Sequence, residues 1–384
     1  MKENNLLLLV ANLTSGGQER VVVRTAKILS GEKNVTIAIF DAQKAVYDTD
    51  ANVVNLNIPA AKNAFQRVFN LLRRACAVKR LKRKLNIGCT ISFGDSANMA
   101  NALAKHKDRV VLSVRGYSSV PQKRVGKLLW HFLYQKADLV VCVAKHLEKK
   151  IRENCRLRKE KVCTVYNPYD FEEILSLSRE KTPFPIKTPT VVSVGRLEDI
   201  KGFRHLIRAV KLAGQRIPGL NLVIVGEGPI EAQLNEEAKR QGVPVRFTGF
   251  QKNPFAIVSK CSCYVLSSIH EGFPNAMVEA MACGIPVVAV DCMTGPREIL
   301  DYDSDQTVRG IVETEYGLLC PAFESDFSDE FELECLLSEA IVRVLQDSEI
   351  HTAFCARSQI RAKMFSFEQY RERLLSVVFP NEKN

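Results

Sequence analysis

Short apolar runs alternate with longer amphipathic stretches along most of this 384-residue chain. Apolar runs of this length predict buried β-strands, and the stretches between them predict helices. Strands that alternate with helices are typical of βαβ units, which build a mostly parallel sheet in an α/β fold. The strands predicted in the first half are NLLLLVAN, NVTIAIF, GCTISF, RVVLSV, ADLVVCV and KVCTVY.

The segment 178–189 interrupts the alternation, because SREKTPFPIKTP contains three prolines and few large apolar residues. We interpret it as a linker. The alternation then restarts with the strand candidates TVVSVG, NLVIVG, PVRFTG, CSCYVLSS and IPVVAVD. The helices predicted after the linker begin near Phe203, Pro229, Asn253 and Asn275, and two more cover 334–364 and 366–379. The acidic region 322–335 predicts a loop.

This division predicts two doubly wound, Rossmann-like domains, an N-terminal domain over 1–180 and a C-terminal domain over 181–365. Ligands of such sheets bind at the carboxyl ends of the strands, so we expect two ligand edges that face each other across a cleft. The last segment, 366–384, predicts a terminal helix that packs back on the N-terminal domain.

The composition, 46% hydrophobic and 25% charged, is that of an ordinary globular protein. The twelve cysteines include no C-x-x-C pair, which argues against a zinc module and favours a reducing compartment. The opening MKENNLLLLVANL has too short an apolar core for a signal peptide, and no run approaches the roughly 20 residues that span a bilayer. We therefore expect a cytoplasmic protein.

Charge is distributed unevenly along the chain. Residues 1–170 hold 31 Lys and Arg against 13 Asp and Glu, whereas residues 171–384 hold 23 against 30. A basic half joined to an acidic half indicates that only the first half meets a polyanion. No nucleic-acid module is recognised and no aromatic residues interleave the basic run, so we expect no nucleic-acid partner.

Two glycine pairs follow predicted strands. Gly16 and Gly17 let the backbone approach a ligand closely, and the next helix presents unpaired N–H groups that favour an anion. A tight strand–helix turn explains the same two glycines equally well. Gly226 and Gly228 are followed by Pro229, and the third glycine of a dinucleotide fingerprint is missing, which argues against nicotinamide binding.

Arg196 and Lys201 stand at the predicted carboxyl end of the second domain's first strand, in VVSVGRLEDIKGF. Two cations at this position suit a diphosphate, because Arg grips phosphate bidentately and Lys acts as a point charge. The alternative is that both are solvated loop charges.

The stretch SSIHEGFPNAMVEAMACGIPVVAVD places two acids and a turn between strand-like runs. Glu271 follows the strand and is expected to point into the cleft. Pro274 opens a helix whose first amides, near Asn275 and Ala276, are unpaired donors at the positive end of the macrodipole. Glu279 lies about one turn inside that helix. A sugar, a diphosphate and a ribose fit this order, because carboxylates bind hydroxyl groups and helix N-termini bind phosphates.

EGFPNAMVE, with its glutamates spaced E-x7-E, resembles the donor-site signature of retaining GT-B glycosyltransferases of the family 4 type. SGGQERVV near the start, VGRLEDIKG and VRFTGF extend the resemblance over nearly the whole chain. It implies a GT-B fold in which the N-terminal domain lies on the acceptor side and the C-terminal domain binds a nucleotide-sugar donor. CMTGPREIL (292–300) further resembles members that add hexoses or N-acetylhexosamines to bacterial surface glycans, which favours UDP-linked GalNAc, Gal or GlcNAc.

The resemblance also implies roles on the donor side. Glu271 should contact hydroxyl groups of the transferred sugar, and Glu279 should contact the ribose. Arg196 and Lys201 should hold the diphosphate, with the first glycine pair closing against it. Backbone groups of Phe250 should meet the base.

On the acceptor side the sequence offers Asp95 and Asn98 in SFGDSANMAN, and Arg115 in VRGYSSV. Arg115 matches the family only loosely and is a candidate contact for donor or acceptor. Helix capping by Asp95 or Ser96 is an equally good explanation of the first segment.

Retaining transfer in this fold resembles a front-face displacement, in which the acceptor hydroxyl attacks on the side that the diphosphate leaves and the leaving phosphate oxygen takes its proton. The protein must then stabilise the diphosphate charge, which Arg196, Lys201 and the helix at Asn275 are placed to do. D-x-D triplets, typical of metal-dependent transferases, occur at 48–50, 301–303 and 303–305. We interpret them as solvated loops and expect neither a metal nor a cofactor.

The stretch 63–88 holds eight Lys and Arg and no acid. On a helix Leu71, Ala75, Val78 and Leu85 form one stripe, while Arg73, Arg80 and Lys84 fall on the opposite face. Trp130, Phe132 and Leu133 lie beside further cations. These patterns predict docking to the anionic inner leaflet of the cell membrane and a lipid-linked acceptor.

Two other functions remain open at this level. A nucleotide-sugar epimerase or hydrolase on the same fold would act on the donor without an acceptor. A non-enzymatic membrane-surface or nucleic-acid adaptor would retain only a vestigial nucleotide site, and the basic first half is its only support.

Overall fold

The computed structural model describes residues 4–14, 16–42, 49–60, 63–116, 124–304, 306–324 and 329–380. The chain divides into two compact units, Met1–Pro168 with Phe367–Asn384, and Tyr169–Ser366. Each unit contains a mainly parallel sheet with helices, which confirms the predicted pair of doubly wound α/β domains.

The first unit is built on a parallel sheet. Its strands are β1 (Asn5–Val10), β2 (Asn34–Ile39), β3 (Asn52–Asn55), β4 (Cys89–Phe93), β5 (Arg109–Val114), β6 (Leu139–Cys142) and β7 (Val162–Thr164). Their order is β3-β2-β1-β4-β5-β6-β7. β1 and β4 are central and almost completely buried, as expected for strands covered on both faces. β3 was not predicted, because the edge sequence NVVN is half polar and two of its side chains are exposed.

Five helices of the first unit connect these strands. They are α1 (Gly17–Leu29), α2 (Ala64–Lys84), α3 (Asp95–Leu103), α4 (Arg124–Gln135) and α5 (Lys145–Cys155). Along the layer formed by the last four, α2 packs on α3, α3 on α4, and α4 on α5. The amphipathic stretches therefore became the helices that the alternation predicted.

The second unit repeats this plan. Its strands are β8 (Thr190–Val194), β9 (Asn221–Val225), β10 (Val245–Phe247), β11 (Cys263–Leu266), β12 (Val287–Val290), β13 (Val312–Glu313) and β14 (Leu318–Cys320). The order is β10-β9-β8-β11-β12-β14-β13, and the edge pair of β13 and β14 is the only antiparallel pair among these described strands. This short edge pair carries no long apolar run, so the sequence did not predict it.

The described part of the second unit has eight α-helices, four of which begin within two residues of the predicted positions. They are α6 (Phe171–Ser178), α7 (Phe203–Gly214), α8 (Glu231–Gln241), α9 (Phe255–Val258), α10 (Asn275–Ala282), α11 (Pro296–Ile299), α12 (Glu330–Gln346) and α13 (Ser348–Lys363). The single helix predicted over 334–364 is two. Asp347 separates them, because its side chain accepts hydrogen bonds from the amides of Glu349 and Ile350 and caps α13.

The division between the units lies at Tyr169, earlier than the linker near 180 indicated. The amide of Tyr169 donates to the Phe365 carbonyl at 3.0 Å, and α6 packs on α9 and α10. Residues 169–180 therefore belong to the second unit. The last helix, α14 (Phe367–Val378), belongs to the first unit, where Tyr370, Leu374 and Val378 join the core around β1 and the Tyr370 hydroxyl contacts Thr25 Oγ1 at 2.7 Å.

An ion pair lies inside the first unit. Lys82 Nζ on α2 is 2.8 Å from Asp108 Oδ2, and both side chains are 1% exposed. Thr90 Oγ1 donates to the same carboxylate oxygen at 2.8 Å, and Lys82 donates to Asn101 Oδ1 at 2.7 Å. One of the cations that the sequence assigned to a basic surface is thus an interior group, bound by Asp108 and Asn101.

Candidate active site

The strand order reverses once in each sheet, between β1 and β4 in the first and between β8 and β11 in the second. Ligands of doubly wound sheets bind outside the carboxyl ends of the strands at such a switch point. Arg196 and Lys201 follow β8, and Glu271 follows β11. The sequence therefore places these three candidates at the ligand-binding position of the second sheet.

Lys201 and Glu271 are in direct contact at this switch point. Lys201 Nζ lies 2.6 Å from Glu271 Oε1, and the Ser268 hydroxyl donates to the same oxygen at 2.7 Å. The side chains are 25% and 10% exposed, so the pair is shielded yet reachable from solvent. A cation and a carboxylate, side by side at the edge of a sheet, offer one group to a phosphate and one to hydroxyl groups.

Gly202 explains how the two loops come so close. Its φ is +63°, and a Cβ at this position would lie 2.0 Å from the Ser267 carbonyl oxygen. Only glycine avoids both the backbone strain and that collision. Ser267 Oγ in turn donates to the Lys201 carbonyl at 2.9 Å, which fixes the loop that carries Lys201.

The turn after Glu271 is supported from the other side by the segment CMTGPREIL. Gly295, at a φ of +100°, lies so close to the turn that a Cβ would be 2.4 Å from Pro274 Cδ. Thr294 Oγ1 donates to the Glu271 carbonyl. Arg297 binds Asp291 through two hydrogen bonds, at 2.7 and 2.6 Å, and anchors this segment to the end of β12.

Helix α10 begins at Asn275, so Asn275 and Ala276 are its first residues, as predicted. The Tyr169 hydroxyl donates to Asn275 Oδ1 at 2.5 Å. Glu279 lies one turn further along and is buried. Burial, reinforced by the charges of Glu271 and Glu279, holds the pKa of Tyr264 well above its usual value. Both carboxylates of the E-x7-E pair therefore influence the same interior side chain of β11.

Arg196 and Phe250 lie at the same edge but outside this cluster. The Arg196 side chain is 71% exposed, and its Nε is 3.2 Å from Glu198 Oε1. Phe250 follows β10 and is exposed. The sequence-based roles of these two residues, in holding diphosphate and base, stay predictions.

In the first unit, the loops after β1 and β4 meet at the other switch point. Gly16 is the N-cap of α1 and Gly17 its first residue. The side-chain amide of Gln18 donates to the Phe93 carbonyl at 3.2 Å, which ties the glycine turn to the end of β4. Asp95 begins α3, whose N-cap is Gly94 without a side-chain bond, so the capping explanation is not realised.

Asn98 has a different place from the one predicted. It is fully buried, accepts from Ser92 Oγ at 2.7 Å and donates to the Ser113 carbonyl at 2.8 Å. Its amide therefore holds α3 to the sheet and is not presented to an acceptor. Arg115, just after β5, is half-buried and donates to Asn167 Oδ1 and to Ser113 Oγ.

Sequence reasoning missed Ser268, Thr294 and Tyr169 at the donor-side cluster. Each contributes a hydroxyl group to Glu271 or Asn275, and Tyr169 does so from 106 residues away. A hydroxyl at the end of a strand, as in the Ser267-Ser268 pair, is the only sequence signal that points to one of them.

Among the described residues, one cluster has the spacing of a metal site: His205, Glu330 and Glu334. Arg208 Nη1 lies 3.1 Å from Glu334 Oε1 and 3.7 Å from Glu330 Oε2. His205 Nδ1 lies 2.8 Å from the same Glu334 oxygen. The arginine fills the place of a cation, so we interpret the cluster as an ion-pair network. Two aspartates of the D-x-D triplets, Asp48 and Asp305, lie outside the described residues.

Two family models match the chain. Residues 15–173 match "Glycosyltransferase Family 4", and residues 176–314 match "Glycosyl transferases group 1". The boundary between the two matches lies close to the division between the units at Tyr169.

Similar proteins of known name are glycosyltransferases. The chain is 28% identical over 370 residues to the N-acetylgalactosamine-N,N'-diacetylbacillosaminyl-diphospho-undecaprenol 4-alpha-N-acetylgalactosaminyltransferase of Campylobacter jejuni, covering 93% of this chain and 94% of that one. It is 26% identical to an uncharacterised glycosyltransferase of Methanocaldococcus jannaschii, covering 80% and 83%.

Solved structures share the fold over nearly the whole length. HepE of Anabaena in complex with UDP superposes with a TM-score of 0.72 at 19% identity, covering 96% of this chain and 98% of that one. Sucrose-phosphate synthase of Thermosynechococcus elongatus gives 0.74 at 18%, covering 96% and 97%. The chain belongs to the GT-B glycosyltransferases of the family 4 type and is a hexosyltransferase. These matches argue against the hypothesis of a non-enzymatic adaptor.

Proposed function

We propose that the protein is a retaining glycosyltransferase that moves a hexose or N-acetylhexosamine from a UDP-sugar to a lipid-linked glycan acceptor in surface polysaccharide or lipopolysaccharide assembly. The observation that carries the proposal is the contact of Lys201 with Glu271 at the switch point, beside the first turn of α10. UDP in the Anabaena structure and the undecaprenol-linked acceptor named for the Campylobacter relative support this choice of donor and acceptor. UDP-linked GalNAc, Gal and GlcNAc are the favoured donors.

In the proposed reaction Glu271 binds hydroxyl groups of the transferred sugar, and Lys201 binds the diphosphate. Lys201 is already neutralised by Glu271 in the structure, so a bound diphosphate would share this cation with the carboxylate. Arg196 and the amides at Asn275 add positive charge as the diphosphate leaves. The leaving phosphate oxygen takes the acceptor proton, so no side chain is needed as a base.

We propose that the cations and the helix N-terminus replace a metal ion. Transfer is then retained in excess EDTA. Complete loss of turnover in EDTA, restored by Mn²⁺ or Mg²⁺, would show that a metal is required.

Replacing Glu279 with alanine should mainly weaken donor binding. A lost hydrogen bond to a charged group costs roughly 1.5–3 kcal/mol, so the dissociation constant for a UDP-sugar should rise by about one to two orders of magnitude. The measurement is a thermal-shift panel of nucleotide sugars, in which a ligand at 100 times its dissociation constant adds about 2.7 kcal/mol to wild-type stability. Failure of every nucleotide sugar to stabilise the wild type would refute the proposed function. An effect of Glu279→Ala on acceptor kinetics alone would refute the role of this residue.

Helix α2 supports the proposed docking at the inner face of the cell membrane. Val78 belongs to the core beneath α2, Leu71 and Leu85 pack against it, and Ala75 is buried, which agrees with the predicted stripe. The exposed cations of α2 are Arg67, Arg73, Arg80, Arg83 and Lys84. All twelve cysteines lie in the described residues and are free thiols, which agrees with a reducing compartment.

The outer face of α2 also carries large apolar side chains. Val68, Phe69 and Leu72 are 64%, 57% and 55% exposed, and the Arg73 guanidinium lies 5.8 Å from the Phe69 ring centre. On α4, Trp130 and Leu133 are buried rather than surface groups, whereas Phe132 and Leu128 are exposed. Apolar side chains flanked by cations favour binding to a membrane surface over binding to a partner by charge alone. None of the helices in the described part of the chain has the length and apolar character of a bilayer crossing.

Changing Arg73, Arg80 and Lys84 together to glutamine should weaken binding to anionic liposomes. Each cation near an anionic leaflet contributes about 1 kcal/mol, so three changes should reduce the partition coefficient on the order of a hundredfold at low salt. Liposome co-sedimentation measures this effect. A triple variant of exposed cations in the second unit, Lys181, Lys239 and Lys260 to glutamine, is the charge-matched control. Equal binding by the two triple variants would overturn the membrane assignment.

A further inference from the structure

A cavity of about 500 Å³ lies in the first unit, apart from the residues discussed so far. Its lining is dominated by cations from two helices, α5 and α14. The cations are Lys145, Lys149, Arg152 and Arg373, and the remaining lining residues are Glu148, Thr164 and Tyr166. The volume is in the range of small-molecule sites.

The helical repeat of α5 builds one wall of this cavity. Lys145, Lys149 and Arg152 follow at i, i+4 and i+7 and share a face, while Leu147 and Ile151 are buried on the other. The helix starts just after the carboxyl end of β6, and Thr164 is the last residue of β7. The cavity therefore lies beside the carboxyl ends of β6 and β7, at the end of the sheet and away from the switch point between β1 and β4.

Arg373 reaches the cavity from the opposite end of the chain. The buried residues Tyr370 and Leu374 seat α14 on the first unit. Arg373 Nε then points to the Thr164 carbonyl, at 3.4 Å. The positive charge of the cavity therefore does not come from one basic stretch of sequence. It forms only when the first unit folds and α14 packs on it.

The positive charge of the cavity is largely uncompensated. Lys149, Arg152 and Arg373 form no ion pair with any residue in the described ranges. The single carboxylate of the lining, Glu148, accepts a hydrogen bond from Thr164 Oγ1 at 2.6 Å. Three such cations beside one carboxylate in a concave site concentrate positive potential and attract an anion.

We propose that this cavity binds a phosphate-bearing group of the acceptor. Two guanidinium groups suit bidentate contacts to phosphate oxygens, and two lysines add point charges. Naming the acceptor as the ligand rests on the proposed glycosyl transfer, whereas the anion site itself rests on the cavity alone. The phosphate belongs either to a lipid diphosphate or to a phosphorylated sugar of the glycan.

The test is a calorimetric titration of the full chain with pyrophosphate in saturating UDP, so that the nucleotide site is filled. A variant with Lys149, Arg152 and Arg373 changed to glutamine should bind pyrophosphate at least about tenfold more weakly, because several charge-assisted hydrogen bonds are lost. The control variant has the exposed cations Lys107, Arg158 and Lys159 changed to glutamine and should bind as the wild type does. Wild-type melting temperature and UDP affinity in both variants exclude misfolding.

Two further titrations identify the source of the phosphate. Tighter binding of farnesyl diphosphate than of pyrophosphate supports the site and assigns it to a lipid diphosphate. Tighter binding of glucose 6-phosphate supports the site and assigns it to the glycan. Equal pyrophosphate affinity in both triple variants, or no pyrophosphate binding by the wild type, overturns the proposal. The proposed function fails separately, if UDP-sugars do not bind or no sugar is transferred.

Discussion

Replacing Glu271 with glutamine is expected to reduce sugar transfer by about a hundredfold to a thousandfold, the loss typical of removing one preorganised polar group from an active site. Glu271 Oε1 accepts from both Lys201 and Ser268, and the carboxylate charge orients both donors. An amide keeps the shape of the side chain but loses the charge. Turnover of a UDP-sugar with acceptor in excess measures the effect.

The melting temperature of this variant should stay near that of the wild type, since Glu271 lies in a loop between β11 and α10 and contributes nothing to the apolar core. Glu236, an exposed residue of α8, supplies the matched control: Glu236→Gln should change neither transfer nor stability. Wild-type turnover in Glu271→Gln would remove this residue from the reaction.

Changing Asp108 to alanine is expected to cost about 3–5 kcal/mol of unfolding free energy, the typical penalty for leaving a buried charge without its partner. Lys82 remains inside the first unit with Asn101 as an acceptor but with no carboxylate. The exposed pair of Arg371 and Glu32 gives the control, because Glu32→Ala should cost at most about 1 kcal/mol. Urea unfolding at pH 7 measures both.

The loss of unfolding free energy in Asp108→Ala should depend on pH in a defined direction. Burial lowers the pKa of Lys82, and the Asp108 carboxylate opposes this shift. Without Asp108 the pKa in the folded state falls further, so above it the unfolded chain binds more protons than the folded one. The stability of Asp108→Ala therefore increases as the pH rises through the folded pKa of Lys82 towards about 10.4, the value for a free lysine. Stability that is independent of pH across this range would contradict the assignment of Lys82 as the destabilising group.

The sequence was most informative where one local pattern decides the structure. Continuous apolar runs such as NLLLLV are buried central strands, and residues placed at strand ends, among them Lys201 and Glu271, meet at a switch point. Short edge strands such as β3 gave no such run and were missed.

Contacts between residues far apart in the chain could not be predicted from the sequence. Nothing local shows that Asn98 turns inward to Ser92 and Ser113, or that Lys82 leaves a basic face to join Asp108. The hydroxyl groups around Glu271 were missed for the same reason, because tertiary packing alone decides which hydroxyl reaches the carboxylate.

The return of α14 to the first unit affects how the protein is made on the ribosome. A ribosome that adds about 5–20 residues per second needs roughly 10–40 s to synthesise Tyr169–Ser366 before α14 begins to emerge. During that time the apolar core around β1 lacks Tyr370, Leu374 and Val378, and the cationic cavity lacks Arg373. The unit that is synthesised first is therefore the one completed last, and any chain released before α14 carries an open core on its N-terminal half.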